Sequence, residues 1–184
     1  QALVYSMDVE IDSELAMVLP LPVMADPSDE AVTFVDLSGY PKFFHHVRDA
    51  FPVLRLGPKT RGFIQQSRSK QPKLVVHDVG DFEASFVPTP KDFDRLDERF
   101  RLSPVVFQEH AEYADYGFAV FQLKPLKSWI GRLKRQTIHP MAFTFPSRQP
   151  ASVFYPTLHV HDGTVPKRAS FDHSLYLQTK DELL

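Results

Sequence analysis

Three histidines near the C-terminus are the residues whose type and spacing best suit chemistry. In the stretch Tyr155 to Gln178, YPTLHVHDGTVPKRASFDHSLYLQ, His159 and His161 are separated by Val160. Side chains alternate along an extended chain, so the two imidazoles share a face and Val160 points away. Asp162-Gly163 tolerates positive φ, as a two-residue hairpin turn requires. The chain returns through Thr164 and Val165, or loops from Pro166 to Ala169, before Phe171 to Gln178 runs as another strand. On that strand His173, Leu175 and Leu177 share a face, and pairing of the two segments sets His173 across from His159 and His161. Converging imidazoles are the start of a zinc, iron or nickel site, with His159, His161 and His173 as the expected ligands. His139 and Asp162 are further candidates. An exposed strand face, or a polar network beside a turn, would show the same H-x-H pattern. The chain has no HExxH helix and no cysteine to strengthen the metal reading.

Glu83 is the candidate general base. It follows Phe82 in an extended run, where a half-buried carboxylate can have a raised pKa; a structural hydrogen bond or a surface-facing position is the favoured explanation. His77 and Asp78 are neighbours in a strand and diverge. His45 and His46 lie about 100° apart on a helix, so they read as helix surface. The serines lack a G-x-S-x-G elbow. No G-x-G-x-x-G or Walker lysine loop is present, which disfavours nucleotide binding by those devices.

The elements that must position these groups follow from composition and pattern. A chain of 184 residues suits one domain, 1–184, with a core that needs no staples. Sixteen prolines against seven glycines break up long helices, and sixteen phenylalanines suggest an aromatic core. The net charge of −2 gives no overall attraction for nucleic acid, so none is expected as a partner. Absence of cysteine excludes disulfides and thiolate chemistry. The chain begins at Gln1, which reads as a processed or trimmed product, and the expected location is cytoplasmic or exported, with no targeting segment in view.

Residues 2 to 20 read as a β-hairpin, with Leu3, Tyr5, Met7, Val9 and Ile11 alternating with polar residues and LAMVLPLPV returning. AVTFVDL is a short strand. PKFFHHVRDAF is a short helix with Phe43, Phe44, Val47 and Phe51 on its apolar face. Residues 52–73 carry six basic and no acidic residues and read as a flexible basic loop. KLVVHDV and FEASFV are extended runs broken at Gly80-Asp81. TPKDFDRLDERF is a helix capped by Thr89, with Pro90 in its first turn and Phe93, Leu96 and Phe100 buried. RLSPVVFQEHAEYADYG reads as another short helix, and YGFAVFQLK as a strand. Residues 124–135 form an inserted amphipathic helix, with Leu126, Trp129, Ile130 and Leu133 opposite Lys and Arg. It is expected to dock Trp129 in the core; contact with an acidic membrane is its alternative. IHPMAFTF is a strand interrupted by Pro140 and ended at Phe145-Pro146. The fold class is therefore α+β, a single domain with a mainly antiparallel sheet and three or four short helices. The run from 82–87 to 116–123 reads as a β-α-α-β unit that can pair adjacent strands.

In order along the chain, LAMVLPLPV, VGDFEASFVP, Tyr113 with YGFAVFQLK, and PMAFTFPSRQPASVFYPTLHV resemble one bacterial family of uncharacterised proteins. Its members carry a "vlPvP" strand, a "VGxYE" strand, a helical pair ending in "Y…G(W/F)xF", and an "FPs…P" strand pair. The similarity runs from Leu15 to about Val160. Its proteins are often exported or anchored, and the resemblance brings no catalytic residues with it. The expectation is a non-enzymatic binding or structural module with a protein or small-molecule ligand. The alternative is a metal-dependent enzyme, hydrolytic or oxygen-activating, built on the C-terminal histidines.

Overall fold

The computed structural model describes residues 1–6, 16–51, 73–100, 113–124, 138–156 and 174–178. Seven strands form two antiparallel sheets. One sheet has the order β1 (Ala2–Tyr5), β7 (Met141–Thr144), β3 (Thr33–Val35). The other has the order β2 (Ala16–Leu21), β6 (Gly117–Leu123), β5 (Phe82–Val87), β4 (His77–Val79).

Strand alternation decides what lies between the sheets. In the four-stranded sheet the row Leu19, Ala119, Phe86 and the row Leu123, Phe82, Val79 are in register and share one face. They pack with Met141, Phe143 and Phe145 from the facing sheet, and with half-buried Leu3, Tyr5 and Phe34. Phe121 links the layers, edge-on to Phe34 at 5.3 Å and tilted to Phe143 at 5.6 Å between centroids. Such offset aromatic pairs contribute beyond the area they bury. The other face of the same sheet carries Val18, Val120, Val87 and Phe118, covered by Leu74, Phe93 and Phe100. All seven residues of β6 are buried because the strand is covered on both faces.

The antiparallel sheet, the break at Gly80-Asp81 and the pairing of β5 with β6 match the sequence reading; the break is the turn of a β4–β5 hairpin. Gly80 has φ +60, and Val79 pairs with Phe82 around the two-residue turn. The sign fits a type II′ hairpin, which needs glycine in its first central position.

Other expectations are corrected. β1 and β2 do not form a hairpin: β1 pairs with β7 and β2 with β6, in different sheets. The reason is burial. Both strands have apolar faces, and each pairs with a remote strand of its own sheet so that the two faces meet in the same core.

Residues 90–100 are not one helix but two 3-10 segments, Pro90–Arg95 and Glu98–Phe100. The cap is as expected, since Thr89 accepts from the Lys91 N–H and Pro90 opens the segment. The helix stops because Leu96 is extended, at ψ 143, and the Arg95 carbonyl accepts from the Leu74 N–H at 2.8 Å. That carbonyl is the one a continuing helix would use four residues later.

The α-helix α1, Phe43–Ala50, is the only one among the described residues, so three or four helices are not seen there. Residues 174–178 are described but make no strand. The expected helices at 104–116 and 124–135, including Trp129, and the basic loop 52–73 lie wholly or largely outside the described residues.

Candidate functional site

The most constructed polar site lies where the β4–β5 turn meets the approach to β7. His139 is 3% exposed. Pro140 follows it, and a proline supplies no backbone donor, so the chain enters β7 only at Met141. The His139 ring stands edge-on to Phe82, with centroids 5.2 Å apart. Its Nε2 accepts from the Asp81 N–H at 2.9 Å, and its Nδ1 lies 2.9 Å from the Pro140 carbonyl oxygen. An acceptor at Nε2 places the proton of the neutral ring on Nδ1, which then donates to that carbonyl. Both ring nitrogens are engaged. A metal could take neither without displacing a hydrogen bond.

Gly80 makes this approach possible. A Cβ there would lie 2.2 Å from His139 Nε2, and 2.9 Å from both Asp36 Oδ1 and Ser38 Cβ. Lys124 closes the other side of the turn. Its backbone N–H donates to the Asp81 carbonyl at 2.9 Å, and its ammonium donates to the Gly80 carbonyl at 2.5 Å and to Asp78 at 2.6 Å. Asp36 accepts from the Ser38 N–H at 2.7 Å. The hydrogen bonds from Ser38 hold its carboxyl below the usual carboxylate range, helped by the nearby Lys124. The cluster ties three separate chain segments together by bonds to backbone groups.

Glu83 lies on the opposite face of β5 from Phe82, the ring against which His139 packs. It sits in a row across the outer face of the four-stranded sheet, in register with Asp78 on one side and Gln122 on the other. Gln122 is 8% exposed, and among the described residues its Oε1 has no hydrogen-bond partner. Sequence reasoning passed over Gln122, although a lone polar residue in the buried run GFAVFQL is a visible signal.

The remaining histidines have separate neighbours. His77 packs against Phe34 at 5.2 Å, on the face opposite to Asp78. His45 pairs with Asp49 at 3.1 Å, and His46 Nδ1 lies 2.7 Å from the Tyr40 hydroxyl, as expected of a helix surface. His159, His161, His173 and Asp162 lie outside the described residues. Among the described residues no group of three or more His, Asp or Glu side chains is placed to hold a metal ion.

Two ion-pair clamps were not foreseen. Arg95 bridges Asp29 and Asp92, tying the loop before β3 to the first 3-10 segment. Arg148 makes a two-pronged contact with Asp115, at 2.6 and 3.1 Å, and lies 4.7 Å over the Tyr116 ring. A shallow, open depression of about 330 Å³ lies over Ala2, Thr33 and Thr144 on the outer face of the three-stranded sheet. Among the described residues its lining has no acidic, basic or histidine side chain.

Fold and site thus define a two-sheet antiparallel sandwich in which buried His139 and Ser85 bond to backbone groups. Comparison with protein-family models, curated proteins and solved structures found no match.

Proposed function

We propose that this chain is a non-enzymatic binding or structural module. The observation that supports it is the use made of His139. The most deeply buried imidazole of the described residues spends both nitrogens on backbone groups, at Asp81 and Pro140. A general base or metal ligand needs a nitrogen directed at an open position. The other described polar clusters, at Lys124, Arg95 and Arg148, likewise join segments of the chain.

Kinship with the bacterial family of uncharacterised proteins belongs to the same proposal. Its motifs fall on β2, the β4–β5 hairpin, β6 and β7. They are core strands, so they bear on a shared fold and leave the ligand open.

The test is elemental analysis of untagged protein, paired with thermal melting before and after a chelator. The module reading expects no stoichiometric metal and an unchanged melt. Near-stoichiometric zinc, iron or nickel, lost in a His159→Ala/His161→Ala variant, would replace it with the metal-enzyme reading.

A further inference from the structure

Among the described residues His139 is the only titratable side chain that is almost wholly buried, and its protonation state decides a bond between the two sheets. In the neutral ring Nε2 is an acceptor, and it takes the Asp81 N–H at 2.9 Å. An imidazolium carries a proton on both nitrogens and accepts nothing. Uptake of a proton therefore sets two donors against each other, and the Asp81 amide loses its partner. Nδ1 is indifferent to the change, since it donates to the Pro140 carbonyl in either state.

A buried cation needs a counter-charge within reach, and one is in place. The point that a Cβ on Gly80 would occupy lies 2.2 Å from His139 Nε2 and 2.9 Å from Asp36 Oδ1. The carboxylate thus stands beside the nitrogen that would gain the proton. Hydrogen bonds from Ser38 keep that carboxyl ionised in mild acid. Asp36 follows β3 and His139 precedes β7, which are neighbours in one sheet, whereas Asp81 belongs to a hairpin of the other. A ring that turned from Asp81 to Asp36 would exchange a bond between the sheets for one within a sheet. The other charged groups at this corner are Asp78, Asp81 and the Lys124 ammonium, which holds the Gly80 carbonyl and Asp78. Tyr5, in register with Met141, stays neutral, its phenol pushed up to about 12 by burial. His77, on the same hairpin, packs against Phe34. One ammonium among three carboxylates leaves the corner negative, which suits an imidazolium.

We infer that the His139–Asp81 bond is an acid-sensitive latch between the two sheets, in which a protonated ring leaves the Asp81 amide for the Asp36 carboxylate. Release frees the turn between β4 and β5 from the approach to β7, while each sheet keeps its own strand pairings. The latch does not depend on the module reading, since it concerns how the sheets are joined and not what they bind. The test is NMR of the isotope-labelled full chain from about pH 8 to about pH 5, the range in which an imidazole ordinarily changes charge. It follows the ring nitrogens of His139 and the hydrogen-exchange protection of the Asp81 amide. As Nε2 gains its proton, Asp81 protection should fall by about five- to tenfold, the factor of one ordinary hydrogen bond. Amides in the middle of β5 and β6 should keep theirs. In Asp36→Asn the release should need more acid. In His139→Gln, whose amide oxygen can accept the Asp81 N–H and does not titrate, protection should not change with pH. Three results would overturn the inference: an Asp81 amide that stays protected as the ring takes up its proton, a ring that stays neutral until the whole chain unfolds, or a loss of protection that persists in His139→Gln and so belongs to His77. Should His139→Gln fail to fold, Asp36→Asn decides, because release at an unchanged pH there would rule out the carboxylate as the receiver.

Discussion

The backbone of Asp81 and the ring of His139 are 58 residues apart in sequence and meet in a 2.9 Å hydrogen bond. The bond needs Gly80 beside it, because any Cβ there would overlap the acceptor nitrogen. Turn and ring therefore form one unit joining the hairpin of one sheet to the strand entry of the other.

Gly80→Ala should be severely destabilising. It combines a positive φ of +60 with a 2.2 Å contact to His139. A cost of about 2–4 kcal/mol is expected in urea unfolding, from strain and overpacking together. His139→Ala alone leaves the Asp81 N–H without its acceptor and opens a cavity, at about 2–4 kcal/mol. The double variant should cost less than the two together, since removing the ring removes the worst overlap. Strict additivity would show that the two do not act as a unit.

Gln122 offers a gain in stability. Its buried Oε1 has no donor among the described residues, and an unpaired buried acceptor costs about 1–3 kcal/mol. Gln122→Met keeps the length of the side chain and removes the acceptor. The variant should melt at the same temperature or higher. A clear fall in melting temperature would mean that Oε1 has a partner.

Tyr5 predicts an alkaline transition. Burial, and secondarily the charge of Tyr155, push its phenol from 10.0 up to about 12. The folded state favours the neutral form, so this contribution is complete below pH 10 and is lost as pH rises toward 12. Wild type should lose stability relative to Tyr5→Phe between pH 10 and 12. Parallel stability curves for the two proteins across that window would disprove the assignment.

Asp115 predicts an acid transition. Hydrogen bonds from Arg148 hold its carboxyl below the usual carboxylate range. The contribution is present above the unfolded value, about 3.9, and is lost as pH falls through the lowered folded value. Asp115 is 70% exposed, so after solvent screening the pair contributes no more than about 1 kcal/mol. Arg148→Met should be slightly less stable at pH 7, and the pH-dependent part of the difference should vanish in acid. A difference that stayed constant down to pH 2 would point to packing on Tyr116 instead.

The amino-acid sequence by itself determined the local devices. Extended apolar runs marked β4, β5, β6 and β7, glycine at position 80 marked the turn, and Thr89-Pro90 marked a capped start. Each is written in neighbouring residues, as a short apolar run or as a backbone angle that few side chains permit. Only the tertiary structure decided partners. β1 was expected to pair with the strand that follows it and pairs with β7 instead, because either pairing satisfies its backbone and only the cross-core burial of Leu3 and Tyr5 distinguishes them. The helix expected over 90–100 broke into two because Leu74 supplied a competing donor to Arg95. The stripe of α1 was legible, but not that none of its residues becomes fully buried. His139 looked like a candidate ligand by residue type alone. Its role followed from the approach of Asp81 and Gly80, a contact no local pattern records, because it exists only once the two sheets have packed.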